Sequence, residues 1–357
     1  MKIDFVINSL AGGGAERVLV TIVNGLSKKH KVRIITFNPA VKTYYEIDEK
    51  VEIKNLHHGK IKNHLVRSLH NLHSFYRNKK NRPDVLISFI HLVNFISIIV
   101  GKLRNIKVII CEHTNHKTTS RTQIKFIRQY TYRFANALTV LTTFDLPYYM
   151  KYGAKTVVMP NPLILPKNVK PFSEREKNIL LVGSLDRYKN KGFDSILKIL
   201  EPILKSNPEW KLIIAGGGTN GHKALNILVK KLNIENQVSF TGFCKNIHTL
   251  MQNSQIFVLP SKFEGLPMGL MEALSNGMAC IAYDCISGPR DLIENDKNGL
   301  LIENQNEKAM RHGLETLLNN KSIRENLALE APSSVIQYGL DNILNQWESL
   351  IDNVIKK

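Results

Sequence analysis

No stretch of this 357-residue sequence is apolar for long enough to cross a bilayer. The longest candidate, residues 88–100, is interrupted by His91 and Asn94 and falls short of the roughly 20 residues that a spanning helix needs. Residues 1–10 read as a strand with Asp4 inside it, not as a secretory leader. Cysteine is scarce. The four residues, Cys111, Cys244, Cys280 and Cys285, show no CxxC spacing, which excludes a zinc ribbon and a dithiol redox pair. Cys280 and Cys285 lie in an apolar stretch and read as buried thiols of a reducing compartment, so a cytoplasmic location is expected. Acidic residues are scarce in one half only. Residues 1–170 hold 28 Lys and Arg against 9 Asp and Glu, whereas residues 171–357 hold 21 of each. The whole net charge of +19 therefore sits in the N-terminal half. A lysine-rich composition bias would affect both halves, so the asymmetry points to an anionic surface or ligand facing the first. Nucleic acid is not the expected partner, because the sequence shows neither a known reader motif nor aromatic base platforms.

Strand-like and helix-like segments alternate along the chain. Residues 3–7, 32–37, 85–89, 108–111 and 138–141 are short apolar runs of buried-strand type, and residues 15–26 have helical spacing behind a glycine loop. This rhythm predicts an α/β fold: a parallel sheet with helices on both faces. Residues 159–166 then carry three prolines, which no helix or central strand passes through. They read as the start of a linker running to about residue 172. Beyond it the rhythm restarts with strands at 178–182, 210–215, 238–240, 256–259 and 279–282 and a helix at 192–204. Two doubly wound domains are expected, 1–165 and 172–340, followed by a helical segment at 341–357. Ligands of such sheets bind beyond the carboxyl ends of the strands, so a cleft between the two domains is the expected site.

Three segments carry chemistry. Phe263-Glu264-Gly265-Leu266-Pro267-Met268-Gly269-Leu270-Met271-Glu272 follows an apolar strand, with Pro267 suited to a helix start and Gly277 to its stop. Glu264 then lies in a loop and Glu272 on the helix. The backbone amides from Gly265 to Met268 fall at the helix N-terminus, where a diphosphate is held without a metal. Val182-Gly183-Ser184-Leu185-Asp186-Arg187-Tyr188-Lys189-Asn190-Lys191-Gly192 is a second strand–loop–helix passage, rich in cations. Ala11-Gly12-Gly13-Gly14-Ala15-Glu16-Arg17 is a glycine loop. A dinucleotide fingerprint would need glycine at position 17, where Arg stands, so a dehydrogenase is excluded.

Two glutamates with seven residues between them in this setting resemble the signature of retaining GT-B glycosyltransferases, above all glycosyltransferase family 4 and its capsule and lipopolysaccharide sugar transferases. The resemblance implies two Rossmann-like domains facing across a cleft, with the first acting on the acceptor and the second binding a nucleotide-sugar donor. It implies that Glu264 bonds donor-sugar hydroxyls and Glu272 the ribose. It implies that Lys191 grips the diphosphate. Ser184 stands where the family has Arg, in a loop two residues longer, and the missing cation falls to Arg187 or Lys189. Gly13 and Gly14 correspond to the family's first loop. His113, in Cys111-Glu112-His113-Thr114-Asn115, corresponds to a histidine near the reacting sugar; His116 is the weaker candidate. Gly242, Phe243 and Cys244 correspond to a loop whose backbone contacts the base, with Gly216–Gly218 close by, and residues 283–291 resemble a variant in the surface-sugar transferases. His113, Glu264 and Lys191 are thus the catalytic candidates. The implied reaction moves a sugar, with retention, from a nucleoside diphosphate donor, UDP first, to a glycan or undecaprenyl-linked acceptor in bacterial surface polysaccharide synthesis. The helix at 341–357 is expected to pack back on the first domain. A UDP-sugar 2-epimerase on the same scaffold is the rival.

The basic half also offers two amphipathic segments for an anionic membrane, which implies a peripheral protein on the inner face of the cytoplasmic membrane. One has Leu65, Leu69, Leu72 and Tyr76 at helical spacing among Lys60, Lys62, Arg67, Arg77, Lys79, Lys80 and Arg82. The other has Ile124, Ile127 and Tyr130 among Arg121, Lys125, Arg128 and Arg133. The histidines at 57, 58, 64, 70 and 73 lie among cations without carboxylates, which argues against a metal site. No Asp-x-Asp pair ends a strand, and no cofactor is expected. Transfer should therefore proceed undiminished in EDTA; loss of activity on chelation, with recovery on adding magnesium or manganese, would refute this.

Overall fold

The computed structural model describes residues 1–39, 43, 45–119 and 121–356. β1 (Lys2–Ile7), β2 (Lys31–Thr36), β3 (Glu52–Asn55), β4 (Val85–Phe89), β5 (Lys107–Cys111), β6 (Ala137–Val140) and β7 (Thr156–Val158) form one sheet in the order β3-β2-β1-β4-β5-β6-β7. β8 (Glu176–Val182), β9 (Lys211–Ala215), β10 (Val238–Gly242), β11 (Ser254–Leu259), β12 (Ala279–Tyr283) and β13 (Leu300–Ile302) form a second, β10-β9-β8-β11-β12-β13. All the paired strands run parallel.

Parallel strands covered by helices on both faces must be apolar at almost every position. Ile3, Phe5, Val6 and Ile7 are accordingly all inaccessible, as is every residue of β11 and β12. Asp4 breaks the run but is matched: Arg33 donates to it at 2.6 and 3.1 Å, and the Tyr76 hydroxyl at 2.6 Å. β3, β7 and β13 were not evident in the sequence. All three are sheet edges of three or four residues: β7 and β13 are apolar but too short to mark a strand, and β3 is mostly exposed.

The chain divides into two compact units, Met1–Pro162 with Leu340–Lys357, and Leu163–Gly339. The first boundary, between Pro162 and Leu163, falls inside the expected linker, whose remainder packs with the second unit. Leu163 N–H donates to Tyr338 O at 2.8 Å, Lys170 reaches Asn253 at 3.0 Å, and Arg175 caps the carbonyls of Asn276 and Gly277 at 2.7 Å each. The C-terminal helix Leu340–Lys356 belongs to the first unit. It buries Ile343, Trp347, Ile351 and Val354 and crosses the helix Gly14–Leu26 at Gly25, where a Cβ would lie 2.4 Å from a Leu344 methyl.

The two stripes that the sequence offers to a membrane face inward instead, except for Tyr130, which is exposed. Leu72 and Tyr76 are buried, with Leu65 and Leu69 packed on the same core. Ile124 and Ile127 are buried as well, and so is Arg128, which is therefore not a surface cation. Among the described residues no helix is long and apolar enough to cross a membrane.

Trp347→Ala should cost about 3–5 kcal/mol, the range for emptying a buried aromatic site. Lys29→Ala, which removes an exposed partner of Glu348, should cost no more than about 1 kcal/mol. Urea denaturation followed by circular dichroism distinguishes the two.

Candidate functional site

In the second sheet the chain leaves β8 toward β9 on one side and returns to β11 on the other. Where the winding reverses, the loops after β8 and β11 part and leave a crevice at the strand ends. The two cation- and carboxylate-bearing motifs follow these two strands. This places Lys191 Nζ 2.7 Å from Glu264 Oε1, although 73 positions separate them, with side chains 22% and 12% exposed. The backbones are joined too, since Lys262 N–H donates to Asn190 O at 3.0 Å. Gly192 makes this approach possible. Its φ is +70°, and a Cβ there would lie 2.0 Å from Pro260 O.

A third loop steadies Glu264. Its N–H donates to Ile286 O at 3.1 Å and its carbonyl accepts from Ser287 N–H at 3.0 Å, while the Ser287 hydroxyl donates to Gly265 O at 3.1 Å. Residues 286 and 287 follow β12. The Gly288-Pro289 pair signals their turn, and the stretch 283–291 stands out by its resemblance, but neither residue is legible as a support of Glu264. Cys285 beside them is inert: burial first, then the Glu264 charge, push its thiol up to about 12. Glu272 is 2% exposed on the helix Met268–Ser275, so it is not an ordinary surface residue. Leu266 is buried at the start of that helix and Gly265 half-buried.

Ser184, Arg187 and Lys189 are exposed on the β8 loop. Of the loop's cations, Lys191 is the one at the carboxylate. The loop is fastened by Asp186, whose carboxylate accepts from the N–H groups of Asn220 and Gly221 at 3.1 and 3.0 Å and so caps the helix Thr219–Lys231. Gly242 ends edge strand β10, and Phe243 and Cys244 follow it. Gly242 O accepts from Gly216 N–H at 2.9 Å, and Phe243, 47% exposed, lies over Gly217.

In the first unit, Gly13 and Gly14 begin the helix Gly14–Leu26 after β1. Gly13 N–H donates to the Tyr45 hydroxyl at 3.3 Å, and that hydroxyl donates back to Gly13 O at 3.0 Å. His113 follows β5, which is two strands from β1 in the sheet. Its ring stacks on Phe89 at 4.7 Å. Burial holds its pKa down at about 4, against smaller opposing effects of Glu112 and of a hydrogen bond with Asn161, so the imidazole is neutral at physiological pH. Glu112 anchors the loop. Burial alone would raise its pKa, but Arg128 at 2.6 Å, His91 at 3.7 Å and the Tyr132 hydroxyl surround it, and it titrates at about 2. His116 Nδ1 bonds Asp145 at 2.7 Å and the ring stacks on Tyr148 and Phe144. His91 and Asn161 were missed in the sequence, because nothing local ties either to residues 112 and 113.

Of the clustered histidines, His57 bonds Phe37 O, His64 bonds Asn38 and His73 bonds Arg104. Among the described residues no group of three His, Cys, Asp or Glu side chains could hold a metal ion.

The depressed His113 pKa makes an acid-stability prediction. The unfolded imidazole takes a proton near pH 6.5 and the folded one only near pH 4. Between these values the unfolded chain binds more protons, so stability falls as pH drops through the window. His113→Gln should lose less stability than the wild type between pH 6.5 and pH 4 in matched urea titrations.

Residues 12–165 match the family model described as Glycosyltransferase Family 4, and residues 166–333 that described as Glycosyl transferases group 1. Over 99% of both chains the protein is 31% identical to the Campylobacter jejuni GalNAc-alpha-(1->4)-GalNAc-alpha-(1->3)-diNAcBac-PP-undecaprenol alpha-1,4-N-acetyl-D-galactosaminyltransferase. Among solved structures it resembles sucrose-phosphate synthase from Thermosynechococcus elongatus, with a TM-score of 0.85 at 15% identity over 99% of each chain. It also resembles HepE of Anabaena in complex with UDP, with a TM-score of 0.80 at 17% identity over 99% of this chain and 100% of that one. Two Rossmann-like parallel sheets, a whole-length relative at this identity and two matching family models together establish that the chain belongs to the family 4 glycosyltransferases and has the GT-B fold.

Proposed function

We propose that this glycosyltransferase moves a sugar from a UDP-sugar to a lipid-linked or glycan acceptor in bacterial surface polysaccharide assembly, with retention at the anomeric carbon. The observation that carries the reading is the Lys191–Glu264 pair at the β8/β11 switch, with buried Glu272 on the helix that follows. In this reading Lys191 and the amides at the start of the helix Met268–Ser275 hold the diphosphate. Glu272 accepts from the ribose hydroxyls and Glu264 from those of the sugar. Arg187 or Lys189 supplies a second cation. An acceptor oxygen attacks the anomeric carbon on the face that the diphosphate leaves. The carbon–oxygen bond to the diphosphate breaks, and the acceptor proton passes to the departing phosphate oxygen. That leaving group gains charge as it departs, so fixed donors around it stabilise the transition state more than the ground state. His113, held neutral, is suited to bonding a sugar hydroxyl. No metal is required.

UDP is favoured because the structural relative HepE binds it. A lipid-linked acceptor is favoured by the undecaprenol-linked substrate of the Campylobacter relative, and such an acceptor supports the reading of a peripheral enzyme at the inner face of the cytoplasmic membrane. The same relative is a transferase along its whole length, which weighs against the epimerase.

Calorimetry with UDP, GDP and ADP tests the donor, and UDP should bind tightest. Glu272→Ala should weaken UDP binding by about 1–3 kcal/mol, and Lys191→Ala should weaken it too, whereas Glu264→Ala should reduce turnover more than affinity. Unchanged UDP binding in both Glu272→Ala and Lys191→Ala would remove the assignment.

A further inference from the structure

The helix Thr122–Tyr130 turns Ile124, Ile127 and Arg128 into the core and leaves a different row outside. Phe126, Tyr130 and Phe134 follow one another at four-residue intervals and are 59%, 49% and 52% exposed. The Phe126 and Tyr130 rings touch, with centroids 4.8 Å apart. The Arg133 guanidinium lies 6.0 Å from the Tyr130 ring and 5.8 Å from that of Phe134, which links the row. Arg121 and Lys125 are exposed on the same segment. No carboxylate occurs in the sequence between Glu112 and Asp145, and both of those are buried and bonded elsewhere. Three aromatic side chains in water, with cations and no exposed carboxylate along their own segment, form a surface that fits an apolar and anionic counterpart.

We propose that the row Phe126–Tyr130–Phe134, with Arg121, Lys125 and Arg133, seats the first unit on an anionic lipid bilayer. The proposal rests on the reading that the acceptor is lipid-linked, and it names the surface that brings the enzyme to it. Aromatic rings partition into the headgroup region, where an apolar body and a polar tip are both accommodated. The cations meet lipid phosphates, so binding needs no spanning helix. A single-stranded nucleic acid also uses aromatic rings and cations. Here, however, Phe126 packs on Tyr130 with the ring planes only 35° apart, which leaves no slot for a base between them.

The test is co-sedimentation of the full chain with phosphatidylglycerol or phosphatidylcholine vesicles, with UDP calorimetry on each variant. The wild type should bind phosphatidylglycerol vesicles and not phosphatidylcholine ones. Phe126→Ala/Phe134→Ala should bind about tenfold more weakly and keep that deficit in high salt. Arg121→Ser/Lys125→Ser should lose binding mainly at low salt. Lys28→Ser/Lys31→Ser removes two exposed charges elsewhere on the unit and should change little. Unaltered UDP affinity in the aromatic variant shows that it is folded. Equal binding by wild type and aromatic variant, or equal loss in both charge variants, overturns the proposal. So does a wild-type dimer that the aromatic changes dissociate, or patch-dependent binding of single-stranded RNA without vesicle binding. If wild type binds vesicles through the row but fails to bind any nucleotide, the donor reading fails and the surface stands.

Discussion

Strands that all run one way release all of their following loops at one edge of the sheet, and this constraint organises both units. A parallel connection must cross back over a face, so the faces are filled by helices and only the strand ends are open to ligands. Both sheets wind alike: the first strand pairs with the second on one side and the fourth on the other. That reversal, β1 beside β4 and β8 beside β11, is where chemistry can be placed. In the second unit it joins Lys191 and Glu264 across a long span of sequence.

The carboxylates near the strand ends have opposite settings. Glu112 is sealed among Arg128, Tyr132 and His91 and is permanently ionised. Losing either partner of such a pair leaves a buried charge unmatched, so its work is to hold the loop that carries His113. Glu264 is half-open, fixed by backbone bonds on both sides and paired with one flexible lysine. The first arrangement resists rearrangement, whereas the second permits an exchange of partners at the lysine.

The central strands were legible because burial on both faces leaves continuous apolar runs, as in residues 3–7 and 256–259. Edge strands such as Glu52–Asn55 carry no such mark. At the site, the motif residues could be read locally, since each lies within a few positions of its strand. Their meeting could not, because it depends on strand order. The same holds for Ser287 and Ile286 against Glu264, and for His91 against Glu112. The sequence also misjudged the helix Thr122–Tyr130. Spacing grouped Tyr130 with Ile124 and Ile127, and Arg128 with the surface cations. The buried Glu112 draws Arg128 inward and turns Tyr130 and Phe126 out, and no helical periodicity encodes the position of that carboxylate.

The first unit is discontinuous: its closing helix, Leu340–Lys356, is separated from the rest by the whole of the second unit. During synthesis the second unit is complete and free to fold while the first still lacks the helix that carries Trp347. The basic unit thus emerges first and is finished last. Until then the apolar side of Gly14–Leu26 around Gly25 stays uncovered on the ribosome, a transient exposure of the kind that recruits chaperones.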